Sequence, residues 1–143
     1  MKFTIAEKTI FTKATPQAIW KIWADVSQWP KWDAEVEWAS LDGEFRENQT
    51  GKLKPRGGPE ARFKITDCIP DQKFSDISFL PLARLVFDHW VKPAEGGNLV
   101  THKITIEGPL SFLFYLLLAK KLKNGLDESL PRLVERAEAY GKK

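Results

Sequence analysis

The chain has 143 residues, 43% of them hydrophobic and 29% charged, with a net charge of +3 and a pI near 9.0. That length makes one domain with room for a real core, and the composition is far from that of a disordered chain. A single cysteine, Cys68, excludes an intramolecular disulfide and a cysteine-rich zinc site, and the small positive charge forms no basic face of the kind nucleic acid requires.

The first residues, Lys2 to Lys8, hold no apolar signal-peptide core, and the longest apolar run, Phe112 to Ala119, is too short to span a membrane. The expectation is a cytoplasmic protein. Phe3 to Phe11 mixes β-branched and aromatic residues with charges and reads as a first strand. Thr15-Pro16 then opens a short helix, with a hydroxyl to cap it and a proline where no N–H is needed. Asp25 to Trp32 is a second short, turn-rich helix, with Ser27 a possible cap and Pro30 limiting its length.

From Ala34 onward the pattern is that of strands. Val36, Trp38 and Ser40 alternate with Glu35, Glu37 and Ala39, and Gly43, Gly51, Gly57 and Gly58 punctuate the next segments as turns. Ala61, Phe63 and Ile65 share one side of the next strand, whose end makes Cys68 a small hydrophobe rather than a reactive thiol. Phe74 to Phe79 is a weaker strand with two possible inward sets. The clearest pair is Arg84 to Lys92 and Val100 to Glu107, where Leu85, Phe87, His89 and Val91 face the same way, as do Val100, His102, Ile104 and Ile106. A period of two over both arms predicts an antiparallel hairpin with one buried face. A four-residue loop, Ala94 to Gly97, would set Pro93 opposite Asn98 and therefore His89 opposite His102.

Gly108-Pro109 leads into a long final helix. Phe112, Tyr115, Leu116, Ala119, Leu126, Leu130, Leu133, Val134 and Ala137 form one stripe at helical spacing, and Pro131 should kink it. Leu113, Phe114, Leu117 and Leu118 project away from that stripe, so the first half is apolar nearly all round. Either the two short helices cover it, or it is an exposed patch beside Lys120, Lys121 and Lys123, suited to a homodimer or to transient contact with a membrane. Lys142 and Lys143 read as a frayed end.

The order is strand, two short helices, about six strands and a long helix. Such an antiparallel sheet must bury its apolar face under that helix, giving an α+β protein. With these elements in place, the sequence resembles the START-like, or Bet v 1-like, superfamily, and within it the polyketide cyclase/dehydrase and lipid-transport group. The resemblance spans nearly the whole chain. It rests on Ala14-Thr15-Pro16-Gln17-Ala18-Ile19-Trp20, on Val26-Ser27-Gln28-Trp29-Pro30-Lys31-Trp32-Asp33, on Phe87-Asp88-His89, and on the run from Thr101 to Leu110. It implies a helix-grip fold, in which a curved sheet of about seven strands wraps the long helix and a cavity between them holds a ligand. It implies little about activity, because members include lipid carriers, cyclases, ring-hydroxylase subunits and co-chaperone-like proteins.

The two histidines are the residues most open to a chemical role. Side by side on an apolar face, at least one must be neutral and able to accept a proton or a hydrogen bond; the alternative is a pair of satisfied core histidines. Without a third ligand they make no zinc site, and no metal or cofactor is implied. Glu7 shares its parity with Phe3, Ile5, Thr9 and Phe11, and enters the cavity if that set faces inward. Trp20, Trp23, Trp29, Trp32 and Trp38 fill the core, or in part shape the mouth of a pocket for a ring-bearing ligand. The expected ligand contacts are Trp23, Trp38, Phe63, Phe87, His89, His102, Ile104 and Leu116, with His89, His102 and Glu7 the candidates for any acid–base role.

Three functions compete on this reading. The first is binding or transport of a hydrophobic or aromatic small molecule or lipid. The second is a cyclase or dehydratase in which His89 or His102 moves a proton. The third is a protein-interaction module that docks through the apolar helix.

Overall fold

The computed structural model describes residues 1–140, so that Lys142 and Lys143 lie outside the described residues. Seven antiparallel strands form one curved sheet: β1 (Lys2–Thr12), β2 (Val36–Leu41), β3 (Thr50–Pro55), β4 (Ala61–Ile69), β5 (Lys73–Leu80), β6 (Ala83–Ala94) and β7 (Gly97–Glu107). Their order is β1-β7-β6-β5-β4-β3-β2, a meander from β2 to β7 with β1 completing the far edge. Between β1 and β2 lie α1 (Pro16–Ala24) and a 3-10 helix (Val26–Lys31); α2 (Ser111–Tyr140) follows β7. This is the α+β helix-grip arrangement.

Local chemistry starts α1 as expected. Thr15 is extended, its Oγ1 accepts the Ala18 N–H at 3.1 Å, and Pro16 occupies the first turn. Ser27 does not cap the 3-10 helix; its hydroxyl donates to the Asp25 carboxylate at 3.1 Å.

Three β-bulges decide which side chains face the helices. In β1 the pairing passes from Thr4↔Thr105 to Ala6↔Ile104, leaving Ile5 as the extra residue. Parity therefore flips: Phe3 and Ile5 point inward before the bulge, Ala6, Ile10 and Thr12 after it. Glu7 is thrown outward, 51% exposed, with Lys103 at 3.9 Å. In β2 the register passes from Val36↔Pro55 to Trp38↔Lys54 with Glu37 extra. Val36 and Ala39 are buried and Trp38, on the outer face, is 38% exposed. A third bulge at Thr66 turns Cys68 toward the core.

The β6–β7 hairpin pairs His89 with His102 and Pro93 with Asn98. One further pair, Ala94↔Gly97, tightens the expected four-residue loop to a two-residue turn, Glu95-Gly96, without altering the register. Gly96 sits at φ +79°, which an L side chain resists.

Two covers share the inner face of the sheet. α1 and the 3-10 helix fill the half over β3 to β5 with rings: Trp20 packs on Phe45 at 5.4 Å, Trp23 on Phe74 at 5.4 Å and Trp29 on Phe63 at 5.6 Å between centroids. α2 packs mainly on β1, burying Leu126, Leu130, Leu133, Val134 and Ala137. Its first half departs from the expected stripe. Phe112 and Leu116 are 55% and 66% exposed, Leu113 and Leu117 46% and 67%, while Phe114 and Leu118 are half-buried. The short helices do not cover this half, because α1 meets α2 at its other end, where Lys21 Nζ lies 5.1 Å above the Tyr140 ring.

Pro131 lies inside α2, on its exposed side, in a helix that continues to Tyr140. Its missing N–H leaves the Asp127 carbonyl without a helical partner, and Lys8 Nζ donates to that oxygen at 3.4 Å. Pro131→Ala restores the backbone donor and removes no buried atoms. The expected outcome is a gain of about 1–2 kcal/mol in urea unfolding; unchanged stability would show that the lysine already satisfies the carbonyl.

Candidate functional site

The site is built on the paired imidazoles of β6 and β7. Their ring centroids are 4.6 Å apart at 82°, and both residues are buried. Burial holds both in the neutral form: it pushes His89 down to about 3, and it lowers His102 well below the usual imidazole range, helped by His89 beside it. The hydrogen bonds then assign the tautomers. His89 Nδ1 lies 3.1 Å from the Phe74 carbonyl, which only accepts, so Nδ1 carries the proton and Nε2 keeps a lone pair. His102 Nε2 accepts the indole N–H of Trp23 at 3.2 Å, so its proton is on Nδ1. Phe74 also stacks on His89, with 3.9 Å between centroids and 5° between planes.

A carboxyl group stands behind the pair. Asp76 of β5 is 3% exposed, and burial, with the charge of Asp88, raises it well above the carboxylate range. Its Oδ1 is 4.0 Å from His89 Nδ1. With the imidazole neutral, that approach is a contact and no ion pair.

In front of the pair lies a cavity of about 70 Å³, at the seam where the two covers meet. The 3-10 helix and the residues after it supply Trp32, Asp33 and Glu35; β6 and β7 supply Phe87, His89, His102 and Ile104; α2 supplies Leu122, Gly125, Leu126 and Ser129. Asp33 is raised to about 6, chiefly by burial, against the Glu35 N–H that its Oδ1 accepts at 3.0 Å. Glu35 lies 3.6 Å from Lys121. A Cβ on Gly125 would come within 2.7 Å of Glu35 Cγ, so the glycine lets α2 approach the rim this closely.

Of the eight expected ligand contacts, the structure brings Phe87, His89, His102 and Ile104 together in this cavity. Trp23 and Phe63 are fully buried core residues; Trp23 stands behind the site, bonded to His102 and packed on the ring of His89 at 6.0 Å between centroids. Trp38 and Leu116 are on the surface, the first because of the β2 bulge and the second because α2 is uncovered there. Glu7 is outside on β1 and contributes no carboxylate.

Two carboxyl groups were not identified from the sequence. Asp33 carried one signal, its place directly after the cluster Trp29-Pro30-Lys31-Trp32. Asp76 carried none that decided its side, because Ile77 and Phe79 are as apolar as the buried Phe74. Among the described residues no group of three His, Cys, Asp or Glu side chains is placed to hold a metal ion, and no helix is long and apolar enough to cross a membrane.

Comparison with known proteins agrees with this architecture. No curated protein matches the chain by sequence. Among solved structures, the di-domain ARO/CYC StfQ of the steffimycin biosynthetic pathway superposes with a TM-score of 0.76 at 16% identity, over 99% of this chain and 52% of StfQ. This chain therefore spans about half of that di-domain protein. Ara h 8.0201 gives 0.65 at 14% identity, over 98% of this chain and 97% of the other. TTHA0849 from Thermus thermophilus gives 0.73 at 16%, over 98% and 99%. At these identities the likeness is one of fold. The sequence pattern described as polyketide cyclase / dehydrase and lipid transport matches residues 4–138, and the chain, with its seven-stranded sheet and long closing helix, belongs to that family.

Proposed function

We propose that the protein binds a hydrophobic small molecule at the seam, with a polar end of that molecule against His89, His102 and Asp33. The observation that carries this reading is the lining of one cavity: apolar walls from Phe87, Ile104, Leu122 and Leu126 converge on a floor of neutral, hydrogen-bonding imidazoles. Membership of a family described by polyketide cyclisation and lipid transport supports it.

The volume of about 70 Å³ is below the roughly 150 Å³ of an apolar cavity that takes up benzene. Any ring must widen the seam, and α2 is the wall that yields. Phe112, Leu113, Leu116 and Leu117 of its first half are exposed, and Gly125 at the rim lowers the helical preference of the segment that would move. Incubation with a lipid extract or a library of ring compounds, followed by native mass spectrometry, is expected to show a retained species, with methyl NMR shifts at Ile104 and Leu126. A protein that retains nothing and shows no shift would end this reading. Gly125→Ala pushes on Glu35 and fills the rim. It is expected to weaken binding about tenfold, while helical preference of about 1 kcal/mol offsets the displaced side chain in thermal melts.

One observation favours a second reading, an enzyme that closes or dehydrates a ring. Asp33, raised to about 6, and His89, whose Nε2 keeps its lone pair, line the same cavity, so below about pH 6 it holds both a proton donor and a weakly basic acceptor. In that case His89→Gln with His102→Gln should abolish turnover and leave affinity largely intact; equal activity in the double variant would exclude it.

The state of Asp33 is open to measurement without a ligand. Its folded value is above its usual value of 3.8, so between about 4 and 6 the folded chain holds a proton that the unfolded chain has lost. This contribution is complete below 3.8, is lost as pH rises to about 6, and is constant above that. Asp33→Asn abolishes the dependence. The stability difference, variant minus parent, is therefore expected to grow from pH 4 to 6 in chemical denaturation and then level off; a flat difference would place Asp33 in water.

A further inference from the structure

Among the described residues, one side-chain nitrogen or oxygen that is itself sealed from solvent has no hydrogen-bond partner: the indole Nε1 of Trp32. The neighbouring buried indoles show what the fold otherwise provides. Trp23 donates to His102 at 3.2 Å, and Trp29 donates to the Trp23 carbonyl at 2.9 Å. Trp32 is 4% exposed, stands beside Asp33 in the cavity wall, and has its ring 5.9 Å from that of His102.

A buried donor without an acceptor is a standing cost, larger than the gain from an ordinary hydrogen bond. A phenylalanine would give the cavity an apolar wall free of that cost. The donor makes physical sense if its acceptor arrives with the ligand, since binding then turns the cost into selectivity.

The floor of the cavity points the same way. His102 lines the same cavity, and with its Nε2 taken by Trp23 its remaining ring nitrogen, Nδ1–H, is a donor. The acceptors already in the lining, His89 Nε2 and the Asp33 and Glu35 carboxyls, make no hydrogen bond to the Trp32 indole, so the oxygen that pairs it has to come from elsewhere.

Resting on the pocket reading above, we infer that Trp32 is the oxygen-recognising residue of the site: as the seam widens, its N–H donates to a carbonyl, quinone or phenolate oxygen of a hydrophobic ring compound. Plain hydrocarbons and saturated acyl chains fill the same walls but leave the indole unpaired. The site therefore selects for the oxygen, and the apolar walls select only for size.

The test uses the full chain and two probes of closely matched shape, acetophenone and isopropylbenzene, titrated by NMR with the tryptophan indole signals resolved. Both are expected to shift the Ile104 and Leu126 methyl signals, with acetophenone the tighter by about fivefold or more. The Trp32 indole proton should move downfield with acetophenone alone. In Trp32→Phe the preference should fall below about twofold, with dispersed Ile104 and Leu126 methyl signals and cooperative unfolding as evidence of an intact fold. Should that variant fail to fold, the indole shift in the parent protein decides alone. Equal affinity for the two probes, or an indole signal indifferent to the ketone, overturns the role of Trp32 and leaves the pocket standing. Binding of neither probe overturns both.

Discussion

Two imidazoles set opposite each other on adjacent strands and closed off from water cannot both carry charge, and here neither does. That constraint reaches well beyond the pair. Each neutral ring needs one partner that donates and one that accepts in the right places, and the partners found are the Phe74 carbonyl on β5 and the Trp23 indole on α1. Trp23 is thereby fixed against β7, and its own carbonyl accepts from Trp29, which fixes the 3-10 helix. The polar demand of two side chains positions the whole helical cover over β3 to β5. Removing the indole N–H would leave His102 Nε2 buried without a donor, a cost of about 1–3 kcal/mol even before any cavity is counted.

The same chain of partners explains where the seam falls. α1 and the 3-10 helix are held to one half of the sheet, and α2 takes the other, anchored through Leu126 to Ala137. The two covers come together in front of His89 and His102 without filling the space between them, so that space collects the residues at the border: Trp32, Asp33, Gly125 and the faces of Phe87 and Ile104. Asp33 is raised by this position, since it sits where one cover ends and water has limited access. The site is a product of two packing units that do not quite meet.

Much of this was legible in the sequence, and what was missed has definite causes. Strict alternation in Leu85 to Val91 and Val100 to Ile106 carried the hairpin register, including the opposition of His89 and His102, because a period of two leaves a single buried face. Alternation misleads wherever a bulge inserts one residue. Ile5 in β1 and Glu37 in β2 each reverse the parity beyond them, which sends Glu7 and Trp38 to the surface. A bulge is set by pairing with the neighbouring strand, and nothing local in Thr4-Ile5-Ala6 marks it. β5 failed in another way: its inward residues Phe74, Asp76 and Ser78 are on balance more polar than its outward Ile77 and Phe79. Hydrophobicity chooses the face of a strand only when the inner face is uniformly apolar, and a site with a polar floor breaks that assumption.

The helix α2 shows the limit of stripe reasoning as well. Leu126 to Ala137 obey the period of 3.6, while Phe112 and Leu116 lie on the same projected stripe and stay exposed. Periodicity reports which residues share a side of a helix; whether anything lies opposite that side depends on the length of the sheet and of the other cover. Here α1 meets α2 toward its far end, with Lys21 over the Tyr140 ring. The consequence is an asymmetric helix: its second half is fully buried along one side, its first half packs through the half-buried Phe114, Tyr115, Ala119 and Leu122 and leaves Phe112, Leu113, Leu116 and Leu117 exposed, and Gly125 lies between them. Movement of the first half would expose side chains that are already half in water, whereas movement of the second would expose Leu130 and Leu133, both fully buried. The seam is thus bounded on one side by this helix, at its Gly125 junction, and on the other by His89 and His102 on the sheet and by Trp32 and Asp33 just after the 3-10 helix.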